Sequence, residues 1–215
     1  AGFGRAAMAR AFQKCFGSPP TEQVPMAGRT DRAILAELLA QRGTDGEHRL
    51  AELQTAAAEA AEETAEQLCS RGGRALPGAK RALAALSGRR DVVQSVLTGN
   101  LRRIGLVKLR VLELAGHLDL EVGAFGDEHL VRAHLVDTAR TLAGAKYGHG
   151  FAGRTTVLVG DTPLDVAAAR ASGATAVAVA SGQYSAEELT AAGADTVLAD
   201  LTDTDDVVAA VLGDG

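Results

Sequence analysis

Thr156-Val157-Leu158-Val159-Gly160-Asp161-Thr162-Pro163-Leu164-Asp165, followed by Val166-Ala167-Ala168-Ala169-Arg170, is the stretch that decides how the chain is read. An uncharged apolar run bounded by Gly and Pro predicts a strand buried on both faces. Pro163 suits the first turn of a helix, where its missing N–H costs nothing. Asp161 is thereby placed at the carboxyl end of a parallel strand, the edge where open α/β sheets bind ligands. Asp161 and Asp165 offer hard oxygens suited to Mg²⁺. The same residues could serve the helix alone, with Asp161 as its cap and Asp165 as a first-turn acid favoured by the dipole.

On either side of this stretch, strand and helix patterns alternate from about Ala75 onward, the signature of a parallel sheet covered by helices. The expected order is helix 78–87 stopped by Gly88, strand Val92–Leu97, helix Leu101–Leu114 closed by Gly116, strand Val122–Phe125, and a helix opened by Asp127 and running to about Leu142. After the 156–160 strand and the 163–171 helix come strand 176–179, helix 185–192, strand 196–198 and a final helix from about Asp203.

The first third of the chain reads as helix only. Phe3, Ala7, Met8, Ala11, Phe12 and Cys15 share one helical face, and Gly17-Ser18-Pro19-Pro20 ends that helix. Ile34, Leu35, Leu38 and Leu39 mark a second helix with Asp31 as its expected cap. A long third helix is expected from about Glu47 to Leu68, with Leu50, Leu53, Ala57, Ala60, Thr64 and Leu68 inward, broken by Arg71-Gly72-Gly73. Residues 1–74 are therefore expected to form a small helical domain and residues 75–215 an α/β domain.

Composition narrows the function. The 215 residues are 47% hydrophobic and 23% charged, within the ordinary range for a globular protein. A net charge of −5 gives no basic footprint for nucleic acid, and no apolar run reaches the length of a membrane span. Cys15 and Cys69 match no metal or redox spacing, so a cytoplasmic setting is the default. His48, His117, His129, His134 and His149 share no metal-ligand spacing.

A second informative turn is Ser95-Val96-Leu97-Thr98-Gly99-Asn100. A Thr hydroxyl and the Gly99 and Asn100 amides at a helix start are the parts of an anion site. Plain capping by Thr98 or Asn100 would use the same residues.

Together, Ser95-Val96-Leu97-Thr98-Gly99-Asn100 and Val159-Gly160-Asp161-Thr162-Pro163-Leu164-Asp165 resemble motifs II and IV of the haloacid-dehalogenase-like hydrolases, most closely the phosphoglycolate-phosphatase-like branch. Gly28-Arg29-Thr30-Asp31 is similar to a cap segment of that branch. The resemblance implies a Rossmann-like parallel sheet with helices on both faces, a helical cap over 1–74 and a core over 75–215. It also implies Mg²⁺-dependent phosphoryl transfer to an aspartate, then hydrolysis. Thr98, Gly99 and Asn100 would hold the phosphoryl oxygens, Asp161 would hold the metal, and Asp165 would be a ligand or support. Arg29 would reach the substrate from the cap. Arg132, or in competition Lys108, would supply the positive charge that the family places roughly 25 residues ahead of motif IV, a distance that fits one helix. The implied partner is a small phosphorylated metabolite, with no nucleic acid or membrane, and the protein is expected to be a monomer or homodimer.

Motif I, an apolar strand ending in Asp-x-Asp, is expected ahead of residue 1, because Asp203-Thr204-Asp205 near the other end reads as a helix cap. Without that strand two apolar edges in the middle of the sheet would lack partners. Other readings are a haloacid dehalogenase or phosphosugar mutase of the same fold, or a non-catalytic binding protein. Two carboxylates in motif IV argue for metal and against the metal-free dehalogenases.

Overall fold

The computed structural model describes residues 2–44, 46–70 and 72–213; Arg71, expected within a helix break, lies outside them. In chain order the helices are α1 (Gly2–Phe16), α2 (Asp31–Gln41), α3 (Glu47–Glu63), α4 (Gln67–Ser70), α5 (Ala79–Ser87), α6 (Arg102–Val111) and α7 (Ala133–Tyr147). They are followed by β1 (Val157–Gly160), α8 (Pro163–Ala171), β2 (Thr175–Val179), α9 (Ala186–Ala191), β3 (Thr196–Leu198) and α10 (Thr204–Leu212). The chain divides into two compact units. The first comprises Ala1–Arg74, Thr98–Glu113 and Phe125–Val131; the second comprises Ala75–Leu97, Leu114–Ala124 and Arg132–Gly215.

The first unit is a helical cluster, and its core matches the apolar stripes read from the sequence. Phe3, Ala7, Met8, Ala11 and Phe12 of α1 are buried with Leu50, Leu53, Ala57 and Ala60 of α3. Ile104 and Val107 of α6 complete the same cluster. The small side chains of α3 let α1 approach closely, so dispersion contacts are dense along their seam. Removing the Leu53 side chain, which is fully buried, would cost about 2–5 kcal/mol. The expected long third helix is in fact two. The backbone leaves helical geometry at Thr64 (φ −112°, ψ 13°), and α4 resumes at Gln67. The Thr64 hydroxyl donates to the Ala60 carbonyl at 2.7 Å, the local side-chain bond through which a mid-helix threonine competes with the helix.

The second unit contains a parallel sheet ordered β1-β2-β3, with Leu158 opposite Ala176 and Ala178 opposite Val197. Its core is Leu158, Val166, Ala168, Ala169, Ala176, Ala178 and Leu189, and α8 packs on β1 and β2 through its alanines. The expected strands 92–97 and 122–125 do not form ladders. One parallel bridge joins Leu97 to Ala124. The polar residues before it are committed elsewhere: Gln94 Nε2 donates to Leu83 O at 2.9 Å, and Ser95 Oγ donates to Asp119 O at 2.7 Å. Among the described residues β1 is bonded to β2 alone, and Val159 is 50% exposed. The helix expected to open at Asp127 begins at Ala133 instead, and the one expected to reach Leu114 ends at Val111.

Candidate active site

The residues singled out from sequence fall into two sets, one in each unit.

In the second unit the set is built on the turn from β1 into α8. Thr162 caps α8 with its side chain, accepting from the Asp165 N–H, and Asp165 returns the bond to the Thr162 N–H, which closes a capping box with Pro163 in the first turn. Asp161 is therefore not the cap, and its carboxylate is left for other work. Asp165 Oδ2 accepts from both the Thr162 amide (3.1 Å) and hydroxyl (2.8 Å). Asp165 Oδ1 pairs with Arg132 Nη2 at 2.6 Å. With side-chain exposures of 16% and 10%, Arg132 and Asp165 are mostly withdrawn from water, so each strongly fixes the other.

Two glycines make room for this arrangement. A Cβ on Gly160 would lie 2.4 Å from the Asp165 carboxyl carbon, and one on Gly182 would lie 2.4 Å from Asp161 Oδ2. Ser181-Gly182-Gln183, read from sequence as a loop shaping the carboxyl edge, thus borders Asp161 through its glycine. Asp161 belongs to an exposed residue at the end of β1. Partial burial of its carboxyl, then the negative charge of Asp165, raise its pKa above the usual range, and the Arg132 charge partly offsets this.

These residues meet the needs of Mg²⁺ in part. The ion takes one or two carboxylates and keeps several waters. Asp161 can supply one oxygen directly, whereas both oxygens of Asp165 are already engaged, which makes Asp165 a support. Among the described residues no three His, Cys, Asp or Glu side chains gather into a metal-binding group.

In the first unit the set surrounds the turn before α6. Thr98 Oγ1 accepts from the Asn100 N–H at 3.2 Å, so one of the two amides expected to hold an anion is already engaged. Two of the chain's own carboxylates occupy the start of α6. Asp31 Oδ2 accepts from the Leu101 N–H at 2.8 Å, and Asp127 Oδ1 accepts from the Arg102 N–H. This corrects two expectations at once. Asp31 does not cap α2, because Thr30 does so by accepting from the Ala33 N–H, and Asp127 serves α6 rather than opening a helix of its own. Lys108 Nζ donates to Asn100 Oδ1 at 2.6 Å, and burial lowers the lysine pKa against the raising effect of Asp31. Arg29 is tied to Glu37 at 2.7 Å and to the Pro25 carbonyl, a local pairing within the helical cluster.

Sequence reasoning overlooked Asp127 as a ligand of the α6 amides, because its partner lies 25 residues earlier. It also overlooked the Arg132–Asp165 pair as such, although both members were named.

Residues 132–204, beginning at Arg132, match the HAD-hydrolase-like family pattern. No curated protein sequence matches the chain. Among solved structures, the chain is similar to a hydrolase from Pseudomonas syringae (TM-score 0.64, 23% identity, covering 95% of this chain and 89% of that one). It is also similar to a haloacid-dehalogenase-like hydrolase from Streptococcus pneumoniae (0.57, 18%, 96% and 89%). A third similar structure is described as a predicted phosphoglycolate phosphatase from Haemophilus somnus (0.60, 16%, 95% and 90%). At these identities the likeness establishes the fold, which is that of the haloacid-dehalogenase-like hydrolases.

Proposed function

With that fold along the chain and that family's pattern over residues 132–204 as the premise, we propose that the protein is a Mg²⁺-dependent phosphatase of a small phosphorylated metabolite, phosphoglycolate-like or a sugar phosphate. The observation that carries the reading is the turn after β1. There Asp165 is consumed by the capping box and by Arg132, while Asp161 keeps an exposed carboxylate at the sheet's carboxyl end.

Asp161 would hold Mg²⁺, whose chemistry is to neutralise charge on a transferring phosphoryl group. Asp165 fixes Arg132, so that a permanent positive charge acts on Asp161 and on any oxyanion bound near it. Thr98 would supply a hydroxyl to the phosphoryl oxygens, and Asn100 a side chain held by Lys108. The acceptor in this scheme is the aspartate of the Asp-x-Asp pair expected ahead of residue 1. Phosphoryl transfer demands chiefly positioning and charge neutralisation, which is what these residues offer. The free thiols of Cys15 and Cys69 accord with the cytoplasmic setting we also propose, and among the described residues no helix is long and apolar enough to cross a membrane.

The test is release of phosphate from p-nitrophenyl phosphate, then from a panel of phosphorylated metabolites, by the intact protein with MgCl₂ or EDTA. Turnover that requires Mg²⁺ is the expected result. Binding of phosphorylated compounds without turnover would point to the non-catalytic alternative.

A further inference from the structure

Asp31 has no task in the scheme above, yet it is buried to 2% exposure in the first turn of α2. A first-turn acid that merely favours a helix dipole can stay in water, so burial implies a further task. Its carboxylate faces amides. Oδ2 takes the Leu101 N–H at 2.8 Å, and both oxygens lie 3.4 Å from Asn100 Nδ2. Its own N–H donates to Gly99 O at 2.6 Å. Residue 31 thus grips Gly99, Asn100 and Leu101 in succession.

We propose that Asp31 is a positioning residue that holds the Thr98–Leu101 turn in the geometry with which it receives a phosphoryl group; this rests on the reading of that turn given above. The carboxylate on one side of Asn100 and the Lys108 ammonium on the other, 2.6 Å from Asn100 Oδ1, admit one orientation of the amide. Neighbouring contacts brace the same turn. The Arg32 N–H donates to Gly126 O, and the Gly126 N–H donates to Asn100 O at 2.8 Å. Asparagine at position 31 would keep the size but remove the charge and replace one of the two oxygens facing Asn100 Nδ2 with a donor.

The charged groups acting on Asp31 are Lys108, which favours the carboxylate, and Asp127, which opposes it; burial dominates and raises the carboxyl to about 6. The anchor therefore changes from a charged to a neutral carboxyl as pH falls through about 6.

Three variants of the intact protein, assayed with p-nitrophenyl phosphate and MgCl₂, test the assignment. Asp31→Asn is expected to lower kcat about tenfold or more with KM within about threefold, to remove the component of the acid-side fall in kcat near pH 6, and to speed amide exchange at Leu101. Thr30→Ala, which removes the α2 cap and leaves the Asp31 carboxylate in place, should lower Tm with kcat retained. Thr98→Ala should lower kcat. The proposal is overturned if Asp31→Asn keeps the parent kcat and pH profile while Thr98→Ala is impaired, or if Thr30→Ala at an equal loss of Tm reproduces the Asp31→Asn defect. Parent-like turnover in Thr98→Ala would instead remove the phosphoryl-binding reading itself, and the proposal with it.

Discussion

The turns that precede α6 and α8 look alike in sequence and are held together in opposite ways. Each follows an apolar stretch, and each carries small polar residues at a helix start. The α8 turn is secured from within: Thr162 and Asp165, three residues apart, cap each other. The α6 turn is secured from a distance, by Asp31 from 70 residues earlier and Asp127 from 25 residues later. Local closure spends one acid and frees its neighbour, Asp161. Distant closure spends two acids on helix amides and leaves Thr98 and Asn100 braced between the helix and Lys108. The first turn suits a cation, and the second suits rigid presentation of a hydroxyl and an amide.

The largest effect expected from this contrast is catalytic. Asp161→Asn should lower Mg²⁺-dependent turnover about 10²–10³-fold, the scale of one lost electrostatic contact in a transition state. The same change should hold or raise Tm. The folded protein keeps the Asp161 carboxyl above its ordinary pKa, so the ionised form is disfavoured by folding and a neutral amide relieves that penalty. A fall in Tm measured by calorimetry would mean that Asp161 is structural.

Next is Arg132→Ala, which strands the buried Asp165 Oδ1 and should cost about 3 kcal/mol in denaturant unfolding. Lys108→Met loses a bond to a neutral amide oxygen and should cost nearer about 1 kcal/mol. Equal losses would erase the distinction between the two cations.

Gly126→Ala probes the distantly braced turn. A Cβ there would come within 1.8 Å of Gly99 O, a backbone atom that cannot rotate away, and should cost about 2 kcal/mol. Gly116→Ala, which meets open space, is the neutral control.

The last expected effect is the pH dependence of stability due to Asp31, spread over about two pH units. Its folded pKa of about 6 lies above the ordinary 3.8. Between those values the folded chain holds more protons than the unfolded one, so the stability Asp31 contributes is present below about pH 4 and lost as pH rises through about 6. The shift corresponds to about 3 kcal/mol, and unfolding curves of Asp31→Asn should lack it.

What could be read from sequence tracks the same contrast. The β1–α8 unit was legible in its strand, in Pro163 and in Asp165 of the first turn, which are neighbours in the chain, although the cap read as Asp161 is Thr162. The apolar stripes of α1 and α3 were legible for the same reason. The α6 turn was legible as a motif and not as a structure. Nothing near Leu101 or Arg102 indicates that Asp31 and Asp127 will fill their amides, and the expected capping role of Asp31 passes to Thr30. Strands 92–97 and 122–125 were overread: their backbones meet in a few bonds and one bridge, Leu97 with Ala124, and an apolar run does not show how long a ladder will be. The placement of Thr98–Glu113 with the helices of the first unit likewise depends on contacts such as Ile104 with the α1–α3 core.

The central proposal is that Asp161, at the carboxyl end of β1, carries Mg²⁺ for phosphoryl transfer while Asp165 serves the helix. The direct test is kcat/KM for p-nitrophenyl phosphate across a MgCl₂ titration, for the parent and for Asp161→Asn. The expected result is that Asp161→Asn loses turnover and that the residual activity no longer responds to Mg²⁺. Parent-like, Mg²⁺-dependent turnover in Asp161→Asn would contradict it.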